Sequence, residues 1–192
     1  MADSNITKKA LASALKSLMQ EMPFEKINVA QICEKCDMNR KSFYYHFKDK
    51  YDLVNWIFDS EFIPLMMNEP EYGELEERFR FMLGPMTYFY ENRGFYRKAL
   101  QIKGQNSFSD HLREYMLPLL RNRTELIQAG LESDDFTLNF FADAALCAIE
   151  RWLKDPDCIP PEEFIVKMWK VIFYGSERAY QLLCRGDEKE QQ

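Results

Sequence analysis

Between Arg40 and Lys50 the chain gathers hydrogen-bond donors at close spacing: Arg40, Lys41, Ser42, Tyr44, Tyr45, His46, Lys48 and Lys50. Cations and hydroxyls are the groups from which phosphate oxygens and base edges accept hydrogen bonds. Two adjacent tyrosines are wasteful on an ordinary wet helix face. In a groove they supply rigid apolar area with a hydroxyl at its tip. A generic amphipathic helix carrying solvated lysines and tyrosines has the same spacing, so spacing alone leaves both readings open.

The other reactive residues form no such set. Cys33-x-x-Cys36 has metal-ligand spacing, but no second pair follows, and a structural zinc takes four ligands. The bland alternative is a pair of small buried residues between helices. Cys147, Cys158 and Cys184 are scattered, and their only reactive use is as thiol sensors. No Gly-x-Gly-x-x-Gly, Gly-x-Ser-x-Gly or His-Glu-x-x-His occurs. His111 with Asp110 and Glu114 is the one polar group an enzyme could use, and those carboxylates suit a solvated helix face equally well. The expectation is no catalysis, no metal and no cofactor.

The donors act together only if short helices hold them. At roughly 100° per residue, Phe43 and Phe47 share one face and anchor a helix near 39–47. Lys41 and Tyr45 then fall roughly opposite, Ser42 and Tyr44 on the flanks, Arg40 and His46 toward the buried edge. Lys48 and Lys50 lie just past the helix end. Asn39 is its N-cap. A capping box, Asn28-Val29-Ala30-Gln31, opens a preceding helix that runs to about Lys35. The turn between the two is Cys36-Asp37-Met38. Leu11, Leu15, Leu18 and Met22 form the apolar stripe of a first helix that starts near Asn5 and stops before Pro23. Asp49 opens a long fourth helix through Leu53, Trp56, Ile57 and Ser60 to Pro64. Two short helices joined by a three-residue turn outline a helix-turn-helix.

The rest reads as further helices at 74–83, 85–91, 93–103, 107–130, 134–153 and 161–184. Breaks are expected at Gly84-Pro85, Gly94, Gly104-Gln105-Asn106, Gly130 and Asp155-Pro156 to Pro160-Pro161, with Pro118 kinking or splitting its segment. No window alternates with period two, and the fold class is all-α. An apolar fraction of 46% is enough for a proper core and excludes a disordered chain. The longest run without a charged residue is the ten residues Phe81–Tyr90, far short of the ~20 a membrane helix needs. The N-terminus has no secretory pattern, and five irregularly spaced cysteines make no disulfide framework. A cytoplasmic protein without a membrane partner is expected.

Charge seems at first to exclude nucleic acid, since the net value is −6. Its distribution says otherwise. Residues 1–58 hold 9 basic and 7 acidic residues, whereas the remainder hold 16 and 24. A slightly basic head sits on an acidic body.

Residues Thr7–Phe58 resemble the N-terminal domain of TetR-type (TetR/AcrR) transcriptional regulators. The run Met38-Asn39-Arg40-Lys41-Ser42-Phe43-Tyr44-Tyr45-His46-Phe47-Lys48-Asp49-Lys50-Tyr51-Asp52-Leu53 matches the family's recognition helix and following turn nearly position by position. Cys36 and Asp37 depart from it, standing where the family usually has alanine and glycine. Asp tolerates the left-handed conformation better than most residues. The resemblance implies that Ser42, Tyr44, His46 and Lys48 contact phosphates, with Lys50 in the same DNA-facing set. It implies that Arg40, Lys41 and Tyr45 read base edges, and that Asn28 and Gln31 contact DNA from the start of the second helix. It also implies a homodimer on a pseudo-palindromic, double-stranded operator. On this reading residues 1–50 are the DNA-binding domain, 51–186 a helical ligand-binding and dimerisation domain, and 187–192 a polar tail.

In the body, Gly94-Phe95-Tyr96-Arg97-Lys98-Ala99-Leu100 and Gly104-Gln105-Asn106-Ser107-Phe108 resemble the branch that includes regulators of dihydroxyacetone-kinase operons. An effector pocket would be lined by Tyr88, Phe89, Tyr96, Tyr115 and Trp152 with His111 as polar handle, or these rings are plain core. The effector is a small molecule or, alternatively, a protein coactivator. Ser107 with Asp110 reads as a helix cap or a ligand contact. The family's last two helices pair with their copies, which makes Phe140, Phe141, Ala144, Ala148, Trp169, Ile172 and Phe173 dimer candidates. Packing within one subunit is the alternative.

Overall fold

The computed structural model describes residues 2–67, 75–104, 106–121 and 134–171. Helix α1 (Ala2–Glu21) buries Leu11, Leu15, Leu18 and Met19, and it stops where Pro23 pushes Met22 out of the helical region. A single 3₁₀ turn, Phe24–Lys26, leads to α2 (Val29–Lys35) and α3 (Arg40–His46). Helix α4 (Lys50–Glu61) is capped by the Asp49 carboxylate, which accepts from the Tyr51 and Asp52 amides. It is followed by the short α5 (Ile63–Met66), which carries Pro64 in its first turn.

Then come α6 (Leu75–Glu91), α7 (Arg93–Ala99), α8 (Phe108–Arg121), α9 (Asp135–Lys154) and α10 (161–171). Every regular element among the described residues is helical. The expected helix parts 122–130 and 172–184, the break at Gly130, and the tail 187–192 lie outside the described residues, as do Ile172, Phe173 and Cys184.

Two expected breaks are absent. Helix α6 runs unbroken through Gly84-Pro85. The clash that normally bars a helical residue before proline involves that residue's Cβ, and Gly84 has none. Pro118 does not divide α8. Both Pro118 and Glu114, whose carbonyl loses its partner, are exposed, so water can take that bond. Helix α7 ends sooner than its pattern suggests, and the link onward uses positive φ at Gly104 (114°) and Asn106 (61°). Only glycine adopts the former without strain.

Packing divides the chain into two compact units, Met1–His111 and Leu112–Gln192. This division falls well beyond residue 50, because α1 packs on α4 and α7 as well as on α2 and α3. The first unit has an aromatic centre: Phe58 stacks on Phe62 (4.8 Å), Phe62 meets Phe89 (4.5 Å), and Phe89 meets Tyr96 edge-on (4.8 Å). Phe108 closes the group against Phe58 and Tyr96. In the second unit Trp152 of α9 stacks on Phe164 of α10 at 4.2 Å and donates to the Ile159 carbonyl. No helix among the described residues is long and apolar enough to cross a membrane.

Candidate nucleic-acid interface

The turn between α2 and α3 is set by backbone hydrogen bonds. Met38 N–H donates to the Cys33 carbonyl (2.9 Å) and Asp37 N–H to that of Glu34 (3.2 Å), with Asp37 at φ 54°. This is a Schellman C-cap with aspartate in glycine's place. The departure at Cys36-Asp37 therefore keeps the left-handed corner. The capping box at Asn28 is complete, since Gln31 N–H donates to its side chain (3.0 Å) and Asn28 N–H to the Gln31 side chain (2.9 Å). Asn39 caps α3 by accepting from Ser42 N–H at 2.8 Å.

Phe43 and Phe47 are buried, and Phe47 meets Trp56 of α4 edge-on at 5.7 Å. Each buried ring contributes about 1.5–3 kcal/mol. With that face held, the opposite one is presented to solvent: Tyr45 is 83% exposed and Tyr44 58%. Arg40, Lys41 and Lys48 are exposed, while Ser42 and His46 are half-buried. Arg40 therefore sits further out than its angle suggested, because α3 begins with it and its stem has no preceding turn to lie against. Among the described residues no ion pair involves Arg40, Lys41 or Lys48, whereas Lys35 pairs with Glu21 and Lys16 with Glu61. The capping oxygens of Asn28 and Gln31 face the backbone, which leaves their amide N–H groups for another acceptor.

Lys50 is placed elsewhere. Its ammonium donates to the carbonyls of Phe24 (2.7 Å), Ile27 (2.7 Å) and Glu25 (3.3 Å), and lies 4.3 Å from the centre of the Phe24 ring. That occupies all three of its N–H donors. Burial lowers its pKa, against the opposing pull of Glu25. Lys50, expected in the DNA-facing set, thus has its ammonium turned to the connection between α1 and α2. Residue spacing put Lys50 past the helix end, but it held no sign that the connection between α1 and α2 returns to that point. A cation in the first turn of a helix opposes the macrodipole by about 0.3–1 kcal/mol. The carbonyls, not the helix, hold it there.

Of the residues expected around an effector, Tyr88, Phe89, Tyr96 and His111 come together on α6, α7 and α8 against Phe58. Trp152 belongs to the Phe164 stack, and Tyr115 is a half-buried residue of the second unit. The sequence reading missed the acidic side of the group. Tyr88 donates to Glu61 (2.6 Å), Lys16 donates to the same Glu61 oxygen (2.6 Å), and the two tyrosine hydroxyls lie 3.0 Å apart. Since Tyr88 donates to Glu61, Tyr96 is the donor to Tyr88. His111 contacts Asp59 at 2.6 Å. Burial and the Glu61 hydrogen bond push the Tyr88 pKa up, and burial followed by Tyr88 does the same at Tyr96. Both hydroxyls stay protonated and can donate.

One signal could have revealed Glu61. It falls in the middle of the α4 arc whose neighbours Leu53, Ile57 and Phe58 are buried. Asp110 accepts from the Ser107 hydroxyl (2.6 Å) and its own amide donates back, which makes the pair a helix cap. His111 therefore meets Asp59, not Asp110. Burial raises the Cys33 and Cys36 thiol pKa values above the ordinary 9.0.

On α9, Phe136 (78%) and Phe140 (59%) are exposed and stack on each other, Ala144 is exposed, and Phe141 and Ala148 are half-buried. On α10, Phe164 and Ile165 are buried within their own unit and Trp169 is half-buried. Among the described residues, α9 thus leaves Phe136, Phe140 and Ala144 exposed, and α10 leaves Val166 and Val171 exposed.

Comparison with known proteins supplies the family. Residues 11–57 match the family described as bacterial regulatory proteins, tetR family, and residues 76–174 match the transcriptional regulator C-terminal region. The chain is 32% identical over 102 residues to the HTH-type dhaKLM operon transcriptional activator DhaS of Lactococcus lactis subsp. lactis, a match spanning 53% of each chain. Similar solved structures include a dihydroxyacetone kinase operon activator DhaS (TM-score 0.62, 21% identity, 90% of this chain and 97% of that one). A TetR transcriptional regulator from Streptococcus agalactiae is another (0.63, 18%, 90% and 96%). NalD, the secondary repressor of the MexAB-OprM multidrug efflux pump in Pseudomonas aeruginosa, is a third (0.64, 19%, 90% and 96%). At such identities the structural likeness is one of fold. With both regions matched, and with the Schellman-capped helix-turn-helix lying inside the first of them, the chain belongs to the TetR family of bacterial regulatory proteins.

Proposed function

We propose that this protein is a sequence-specific, DNA-binding transcriptional regulator of the cytoplasm. It acts as a homodimer on a pseudo-palindromic operator, and an effector taken up by the body sets its DNA affinity. The face of α3 carries this reading: Tyr44, Tyr45, Arg40, Lys41 and Lys48 are exposed together over an anchored helix. In a major groove, Lys41, Tyr45 and Arg40 face base edges while Ser42, Tyr44, His46 and Lys48 flank them toward phosphates. Asn28 and Gln31 add amide donors from α2. The exposed stripe Phe136, Phe140 and Ala144 is the surface for the second copy, and a two-fold dimer places its recognition helices on half-sites about one DNA turn apart.

The test is selection of duplexes from a random-sequence pool by the purified chain. Enrichment of an inverted repeat with half-sites about 10 base pairs apart, or a multiple of that, supports the reading. No enrichment over input, or enrichment of a single unrepeated site, overturns it.

A further inference from the structure

We propose that Lys50 is a positioning residue for DNA recognition: it pins the connection between α1 and α2 to the start of α4, so that both helices of the helix-turn-helix travel with α4. This inference rests on the regulator reading above.

Three chain segments meet at this lysine. It is the first residue of α4 and stands three positions after Phe47, the buried end of the recognition helix. Its ammonium reaches back to the carbonyls of residues 24, 25 and 27, directly before Asn28, the N-cap of α2. Phe24 and Tyr51 wall the ammonium on two sides, with ring centres 4.3 and 5.8 Å away and the rings themselves edge-on at 5.1 Å. The Phe24 carbonyl also accepts from the Ile27 N–H at 3.0 Å, so the lysine reinforces the turn's own hydrogen bond. One cation gathers three carbonyls, and such charge-assisted bonds are stronger than neutral ones.

Helix α3 is joined to α4 through Phe47 against Trp56 and through the Asp49 cap. Lys50 is the matching joint for α2. The far end of α4 carries Glu61, which is bonded to Lys16, Tyr88 and, through Tyr88, Tyr96. A shift of α4 begun among those tyrosines therefore arrives at both DNA-facing helices.

The experiment compares the parent with Lys50→Met, which keeps the stem and removes the donors, with Lys50→Gln, which keeps two N–H donors, and with Lys48→Ala. Affinity for a duplex recovered from the random pool is measured across a salt series. Lys50→Met is expected to weaken binding at least tenfold at every salt concentration with a slope parallel to the parent's, and Lys50→Gln to recover part of the loss. Lys48→Ala, by contrast, lowers the slope by ~1, as loss of one phosphate contact requires. A slope lowered by ~1 in Lys50→Met overturns the proposal, because Lys50 then leaves its carbonyls for a phosphate. An affinity within twofold of the parent overturns it as well.

Amide hydrogen exchange in the free chain gives a readout that needs no DNA. Exchange at residues 26–31 is expected to speed up in Lys50→Met and slow again in Lys50→Gln, and unchanged exchange overturns the pin. Should Lys50→Met not fold, the native chain with labelled lysine decides. Hydrogen-bond couplings from the Lys50 ammonium to backbone carbonyls are expected to persist on the duplex, and their replacement by phosphorus couplings overturns the proposal. If the parent itself recovers no duplex, the regulator reading fails. The pin is then judged on exchange alone.

Discussion

Two regions of this molecule expose a pair of aromatic rings, and they do so in opposite settings. On α3, Tyr44 and Tyr45 each end in a hydroxyl and stand among Arg40, Lys41 and Lys48, none of which is paired among the described residues. On α9, Phe136 and Phe140 end in bare carbon and stack on each other with Ala144 beyond them. Two of the carboxylates near the second pair are already paired: Asp143 binds Arg113 at 2.6 Å and Asp135 faces Arg121 at 3.4 Å. The first surface suits a wet, anionic, hydrogen-bonding partner. The second suits a dry one. Exposed aromatic area by itself does not say what binds; the donors and unpaired charges around it do.

That contrast can be broken from either side. The largest effect is expected at the support of the polar surface, where Phe43→Ala leaves a cavity under α3 and costs about 3–5 kcal/mol in denaturant unfolding. DNA binding should fall with it. On the apolar side, Phe140→Glu should leave the helical content of the single chain near the parent's by circular dichroism, since the ring is already exposed there. In a two-fold interface each ring occurs twice, so the substitution removes the burial of two rings and raises the dimer dissociation constant about a hundredfold, or about 2.7 kcal/mol. Sedimentation showing an unchanged dimer would reassign that face.

Smaller effects sharpen the polar surface. Tyr45→Phe and Lys41→Ala are each expected to shift the preferred base at one or two operator positions by about 1–3 kcal/mol, read from a repeated pool selection. An unaltered preference removes them from the base-reading set. The smallest effect is at the turn: Asp37→Gly relieves a left-handed residue and should stabilise the chain by about 0.5–1 kcal/mol in a thermal melt. Destabilisation there would mean the aspartate side chain has a use of its own.

Much of the head was legible because its signals are local. The capping box at Asn28, the caps at Asn39 and Asp49, and the anchor pair Phe43 and Phe47 each depend on residues within four positions of one another. Helix geometry then fixes what lies opposite. The tolerance of Asp37 for a left-handed corner is likewise a property of one residue. The body was less legible. Helix periodicity identified α9 and α10, but it could not say which of their apolar residues face inward. Phe164 and Ile165 went to the core while Phe136 and Phe140 stayed out. Gly84-Pro85 misled for the opposite reason, since two helix-breaking residues in sequence cancel part of each other's effect.

An all-helical chain, a helix-turn-helix near its start and the donor set on the recognition helix can all be read from residue order alone. Hydrophobic period and capping chemistry act over one or two turns and need no tertiary partner to be read. It took the packed fold to show that Lys50 closes on carbonyls 23 to 26 residues before it, and that Glu61 receives both Lys16 and Tyr88. Where a long, flexible cation or a buried carboxylate finds its partner depends on which distant segments the packed core brings alongside. No spacing along the chain encodes that.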